Sequence, residues 1–296
     1  MRFWCSTIEE PWTWQFRAYP GIWAVVLLMS LPYLIAVKRR RDRGAEDPDQ
    51  ARRTRFYIAG VLAFWIATDW PLGLLGASYL ASAHMAQFMI YTMVAAPLML
   101  LGIPEWMARQ MLGKLRIYRL VTRVSKPLFA GLVFNGLLLF THAPWTVDAL
   151  RSNQWGSFAM DMVWLAMGFL LWAPIVSPLP EMTSAAPPAK VVYVFLAAGV
   201  VPMVPAGFLT FAPFPLYSTY ELAPRFYGLA ATTDQQIAGL IMKIGGIPVV
   251  WGTMLALMVV WMRPAEFSAG SVVFTGEPAT EEGPVAGPTT TEVSST

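Results

Sequence analysis

His84 and His142 are the only histidines in the chain, and the residues around them are rich in methionine. Met85, Met89 and Met93 follow His84. Residues four apart share a helix face, so these three form a thioether stripe one position round from the imidazole. Imidazole and thioether together suit a soft ion such as Cu(I). The candidate metal donors are His84, His142, Met85 and Met89, with Met160 and Met162 as further thioethers. A second set, Asp69, Asp161 and Lys243, has the chemistry of a proton or ion path. The same groups also fit a purely structural cluster, in which Lys243 pairs with a carboxylate while Asp161 and Asp234 cap helix ends. Plain alternatives stand beside each of these. A histidine inside a membrane is more often a hydrogen-bonded packing residue, and methionines at helical spacing usually pack. Asp234 reads most simply as the N-cap of the last span. Asn135 in mid-span reads as an interhelical hydrogen-bonding residue. Cys5, the single cysteine, reads as a free thiol rather than a metal-capturing thiolate.

The elements that must position these groups are apolar spans. Hydrophobic residues make up 56% of the 296 positions and charged residues 13%, a combination that points to a polytopic helical membrane protein. The basic residues lie between the spans, so membrane topology accounts for them and nucleic acid is not an expected partner. One cysteine excludes a disulfide framework and a Cys-pair metal site. No cleavable signal peptide is read before the first span. No Gly-rich phosphate loop, Gly-x-Ser-x-Gly elbow or HExxH is present, so no enzyme class is expected.

The fold class is all-α, with seven transmembrane helices. Residues 1–18 form an aromatic-rich interfacial segment, residues 19–262 the membrane domain, and residues 263–296 a mostly disordered tail rich in Gly, Pro, Thr and Glu. The spans are Tyr19–Val37, Phe56 to about Leu75, Tyr79–Pro104, Pro127 to about Ala143, about Ser157–Val176, Val191 to about Phe211, and about Ile237–Met262. The second is interrupted late by Asp69-Trp70-Pro71, and the sixth is kinked by Pro202 and Pro205. The stretch KRRRDRGAEDPDQARRTR reads as a solvated loop, Glu105–Lys126 as an amphipathic surface helix, and PWTVDALRSNQWG as a short outer loop. With the amino terminus outside and the carboxyl terminus in the cytoplasm, sixteen Lys/Arg fall on the cytoplasmic side and four outside: Arg2, Arg17, Arg151 and Arg225. This topology places Asp69, His84, His142, Asp161 and Asp234 near the outer ends of their spans. Lys243 lies a few turns deeper. The expectation is a polar cluster opening to the outer face.

SAHMAQFMIYTMVAAPLMLLGIP resembles the signature of the seven-span CtaG family of bacterial cytochrome c oxidase assembly factors. That signature reads small-A-H-M-x-Q-H, followed by A-P-x-L-x-L-G-x-P. FLLWAPIVSPLP, GFLTFAPFPLYSTY and TTDQQIAGLIMKIGG agree with later parts of the family pattern, so the resemblance covers about residues 55 to 262. It implies a bacterial inner-membrane location, haem-copper oxidase subunits and the lipid bilayer as partners, and copper as the candidate cofactor. His84 matches the first histidine of the motif. The second is Phe88 here, Asp161 is the only ionisable residue where a further histidine is expected, and Lys243 replaces a tryptophan. Two readings follow: an accessory factor in oxidase assembly and copper-site maturation, or a non-catalytic structural subunit. A carrier of ions or small solutes using Asp69, Asp161 and Lys243 is the alternative from a different class.

Overall fold

A computed structural model describes residues 2–45 and 47–262 of the chain. Every regular element among them is helical. The tail expected beyond residue 262 lies outside the described residues. In chain order the elements are α1 (Pro20–Asp42), α2 (Gln50–Thr68), α3 (Leu72–Tyr79), α4 (Ala81–Gly102), α5 (Glu105–Lys114) and α6 (Tyr118–Val124). They continue as α7 (Pro127–Thr141), α8 (Pro144–Arg151), α9 (Gln154–Val176), α10 (Pro187–Phe211), α11 (Ser218–Glu221) and α12 (Ala231–Met262). Five helices are long and apolar enough to cross a membrane, and the number rises to seven if each of two bent pairs is one span.

Local sequence explains most boundaries. Proline occupies the first turn of α1, α7, α8 and α10, where a missing N–H costs nothing. Asn153 caps α9 by accepting from the Gly156 N–H at 2.8 Å. Asp69-Trp70-Pro71 separates α2 from α3 with a bend of 54°. In α10 the helix loosens into a π-helical stretch at Phe195–Val200 and breaks at Val201-Pro202 before resuming at Met203.

Two segments differ from expectation. The basic stretch after the first span is largely helical, because α1 continues to Asp42 and α2 begins at Gln50. Charged residues have ordinary helix propensity, so a span can run on past its apolar part. The short loop expected after Ala143 is likewise a helix, α8, started by Pro144. Glu105–Lys126 folds as two helices, not one, with Ala108 and Leu112 buried and Met111 and Leu115 exposed.

The core is built on α4 and α9. Each has 56% of its apolar window buried, against 11% in α1 and in α12, so the last two lie at the periphery. Close approach needs residues without a side chain. A Cβ on Gly60 of α2 would stand 2.7 Å from the Ala95 carbonyl of α4, and one on Gly168 of α9 would stand 2.9 Å from Thr92 Cα. The π-helical stretch Ile90–Ala95 in α4 offers carbonyls outside the α-helical pattern, and Trp172 Nε1 donates to that of Thr92 at 2.7 Å. Asn135 plays the interhelical role expected of it, donating to the Ala197 carbonyl in α10 at 3.3 Å.

Candidate functional site

One end of the bundle gathers the start of α4, the end of α7, all of α8 and the second turn of α9. The amino-terminal residues lie across it. Arg151, the last residue of α8, is fully buried there. Its Nη2 donates to Asp161 Oδ1 at 3.0 Å, its Nε donates to His84 Nδ1 in a long bond of 3.3 Å, and its guanidinium lies 5.3 Å from the Trp164 ring centre. The other carboxylate oxygen of Asp161 accepts from Trp4 Nε1 at 2.8 Å. Burial alone works against the Arg151 charge, but the adjacent carboxylate outweighs it and the guanidinium pKa is raised. Asp161 and Arg151 are 1% and 0% exposed, so bulk solvent contributes nothing to holding either charge.

The aromatic shell around the pair is tight. Trp164 lies 4.7 Å from the His84 ring, 5.8 Å from His142 and 5.3 Å from Phe88, and Phe88 lies 4.7 Å from His142. The two histidine rings are 6.4 Å apart. Phe88, at the place of the motif's second histidine, therefore packs against both His142 and Trp164.

Each imidazole has a readable tautomer. His142 Nδ1 donates to the Leu138 carbonyl at 2.8 Å, which leaves Nε2 with the lone pair, buried and without a partner. His84 is reversed: its Nδ1 accepts from Arg151, so a singly protonated ring carries its hydrogen on Nε2. A metal ligand needs the lone pair that Arg151 occupies. The fixed positive charge also opposes a cation at the same place. In this arrangement the residues present do not fit a copper ion held jointly by His84 and His142.

Other expected site residues have other partners. Met85 and Met89 are both buried, and the Met89 methyl lies against the Gly245-Gly246 joint of α12. Asp69 accepts from Trp23 Nε1 at 2.7 Å and Trp65 Nε1 at 2.8 Å, at the junction of α1 and α2. Asp234 lies in the first turn of α12, whose N-cap is Ala230. It caps another helix: Oδ2 accepts from the Ala81 N–H at 2.6 Å and Oδ1 from the Ser82 N–H at 3.2 Å, fixing the turn that carries His84. Lys243 lies 5.1 Å over the Phe211 ring and forms no ion pair among the described residues. The structure thus brings together His84, His142 and Asp161. Among the described residues no three His, Cys, Asp or Glu side chains stand close enough to share a metal.

In the sequence Arg151 reads as one more charge in a loop. Its signal is nevertheless present: α8 opens with proline, and Val147 and Arg151, four apart, share its buried face. Tyr220 also belongs to the site; its hydroxyl donates to the Gly76 carbonyl at 2.6 Å and its ring lies 5.6 Å from His84. Gly76 leaves room for the His84 backbone, since a Cβ there would stand 2.9 Å from the His84 nitrogen. Gln87 on the same helix ties it to α2 through the Ala67 carbonyl at 2.8 Å.

The amino-terminal strap seals this end. Phe3 N–H donates to Gln154 Oε1 at 2.6 Å, Thr7 N–H to the Arg151 carbonyl at 3.0 Å, and Ile8 N–H to Ser78 Oγ at 2.8 Å. Trp4, Cys5 and Ile8 are buried beneath it, while Trp14 and Phe16 are exposed. Burial pushes the Cys5 thiol up, away from the reactive thiolate.

Comparison with curated proteins and with solved structures finds no match. The family described as cytochrome c oxidase caa3 assembly factor matches residues 31–264, which include both histidines, Arg151 and Asp161 but not the strap. The chain therefore belongs to that family, CtaG, of helical membrane-associated cytochrome c oxidase assembly factors.

Proposed function

We propose that this protein serves haem-copper cytochrome c oxidase as a non-catalytic accessory that acts through protein contact, with its histidine site closed to metal. The observation that carries this reading is the Arg151 guanidinium on the only lone pair of His84, with Asp161 neutralising it. Phe88 at the second histidine position of the motif supports it, because an apolar ring there packs against both His142 and Trp164. The reading includes seven spans in the bacterial inner membrane, the amino terminus outside. Charge asymmetry supports that orientation, since Lys38–Arg55 and Arg109–Lys126 hold most of the basic residues. In this topology the Arg151 cluster faces the non-cytoplasmic side, and Trp14 and Phe16 of residues 1–18 rest at the interface.

One observation favours a second reading, copper-site maturation. His142 Nε2 is a buried lone pair without a partner, and a swing of Arg151 wholly onto Asp161 would release His84 beside it. Asp69, Asp161 and Lys243 have separate partners, so nothing here favours carriage of an ion or solute.

Mild-detergent purification followed by haem and copper analysis tests the proposal. Recovery of oxidase subunits with the protein, unchanged by His84→Ala, is expected. Loss of that association in His84→Ala, together with loss of bound copper, would move the function to metal delivery.

A further inference from the structure

The opposite end of the bundle carries a groove that the histidine site does not use. It encloses about 540 Å³ between the α5–α6 pair and the flanks of α4 and α9, within the ~300–1,000 Å³ range of small-molecule sites. Its walls are almost wholly apolar: Met99, Ile103, Leu112, Val121, Ala166 and Phe169 are representative. The small core of Ala108, Leu112, Ala173, Leu179 and Met182 beneath α5 and α6 forms part of the same lining. The connections Tyr33 to Gly102 (2.9 Å) and Arg40 over Trp106 (4.9 Å) place this groove at the end where the α1–α2 turn also lies.

The charge around it is one-sided. Lys114, Arg116, Arg119, Arg123 and Lys126 are all exposed, and none forms an ion pair among the described residues. They alternate along the chain with groove residues: Arg116 precedes Ile117, Arg123 precedes Val124, and Lys126 follows Ser125. The only acid in residues 105–126 is Glu105, already held by Arg109 at 2.7 Å. The apolar side of α5 and α6 faces the groove and their unpaired cations face outward, so an apolar slot lies beneath a basic outer surface at the end of a membrane bundle, which matches a ligand with a hydrocarbon chain and an anionic head.

We infer that this groove binds an acyl chain of an anionic phospholipid, whose headgroup sits on Arg119, Arg123 and Lys126. The site is independent of the Arg151 cluster and of the role assigned to it. α5 and α6 then act as an interfacial clasp, with exposed Leu115 and Leu120 turned to the surrounding lipid.

Native mass spectrometry and thermal unfolding of the delipidated full chain, with phosphatidylglycerol or phosphatidylcholine added back, test this. Phosphatidylglycerol should bind roughly tenfold more tightly and raise the unfolding temperature more. The Arg119→Gln/Arg123→Gln/Lys126→Gln variant should lose that preference while still binding both lipids weakly. Ala166→Trp, which fills the groove from an exposed position, should weaken both lipids and leave the fold intact by circular dichroism. Equal binding of the two lipids, a preference that survives the triple substitution, or unchanged binding in Ala166→Trp would overturn the inference. So would crosslinks from Ala166 positions to an oxidase subunit in place of lipid.

Discussion

Two arginines at opposite ends of the bundle each meet a carboxylate at nearly the same distance, and they do different work. Arg109 reaches Glu105 at 2.7 Å and Glu181 at 2.8 Å, with all three side chains more than two-fifths exposed. Arg151 reaches Asp161 at 3.0 Å with neither exposed. In water the first arrangement contributes little, because solvent screens the charges and holding long side chains costs entropy. Removing one partner of the second strands the remaining charge away from bulk solvent, at about 3–5 kcal/mol. Contact geometry is similar in the two cases; surroundings decide the outcome.

The largest effect should follow from breaking the buried pair on one side only. Asp161→Asn should lower stability by about 3–5 kcal/mol, read as a fall in unfolding temperature in detergent. Joint replacement, Arg151→Met/Asp161→Leu, should recover most of that loss. If the single variant behaves like Arg109→Gln, the contrast between the two ends fails.

Trp4→Phe removes the indole donor from Asp161 Oδ2 and keeps most of the buried ring. The expected cost is about 1–3 kcal/mol, that of a buried acceptor left without its partner. Cys5 reports the same event directly. In the unaltered chain it should resist a membrane-impermeant maleimide, since it is 1% exposed and its thiol is held protonated by burial. In Trp4→Phe it should label faster. Equal labelling rates would show that the strap does not depend on the Asp161 contact.

Asp234→Asn should be milder, about 1 kcal/mol, because the amide oxygen still caps one N–H of α4 while the charge at that helix end is lost. The smallest change belongs to the exposed end. Its own backbone N–H, and then Arg109, hold the Glu181 carboxyl below the ordinary carboxylate range. A depressed folded pKa adds stability above the unfolded value, and that addition is lost as pH falls through the folded one. Arg109→Gln should therefore raise the Glu181 pKa in an NMR titration and scarcely alter unfolding at neutral pH.

How much of this was legible in the sequence follows from the range of each interaction. Apolar runs and prolines act locally, so the spans, the break at Asp69-Trp70-Pro71 and the disrupted sixth helix could be read directly. The gathering of His84, His142 and Asp161 at one end was also readable, because all three lie near span ends. Partnership was not. Asp234 looked like the cap of its own helix and instead caps α4, a choice made by how α12 packs beside it. Arg151 looked like a solvated loop charge, since nothing in PWTVDALRSNQWG says which face of α8 turns inward until α9 supplies Asp161. Lys243 looked like half of an ion pair, but its neighbour is the Phe211 ring. The strap lies outside the residues that match the family, so its tie to the matched domain could be seen only in three dimensions.

Cu(I) titration of the purified full chain against a competing chelator is the most direct test of the closed histidine site. With Arg151 on His84 Nδ1, copper uptake should be well below one equivalent and the same in His84→Ala, while Arg151→Met should increase it. One tightly held equivalent in the unaltered protein, lost on His84→Ala, would contradict the account.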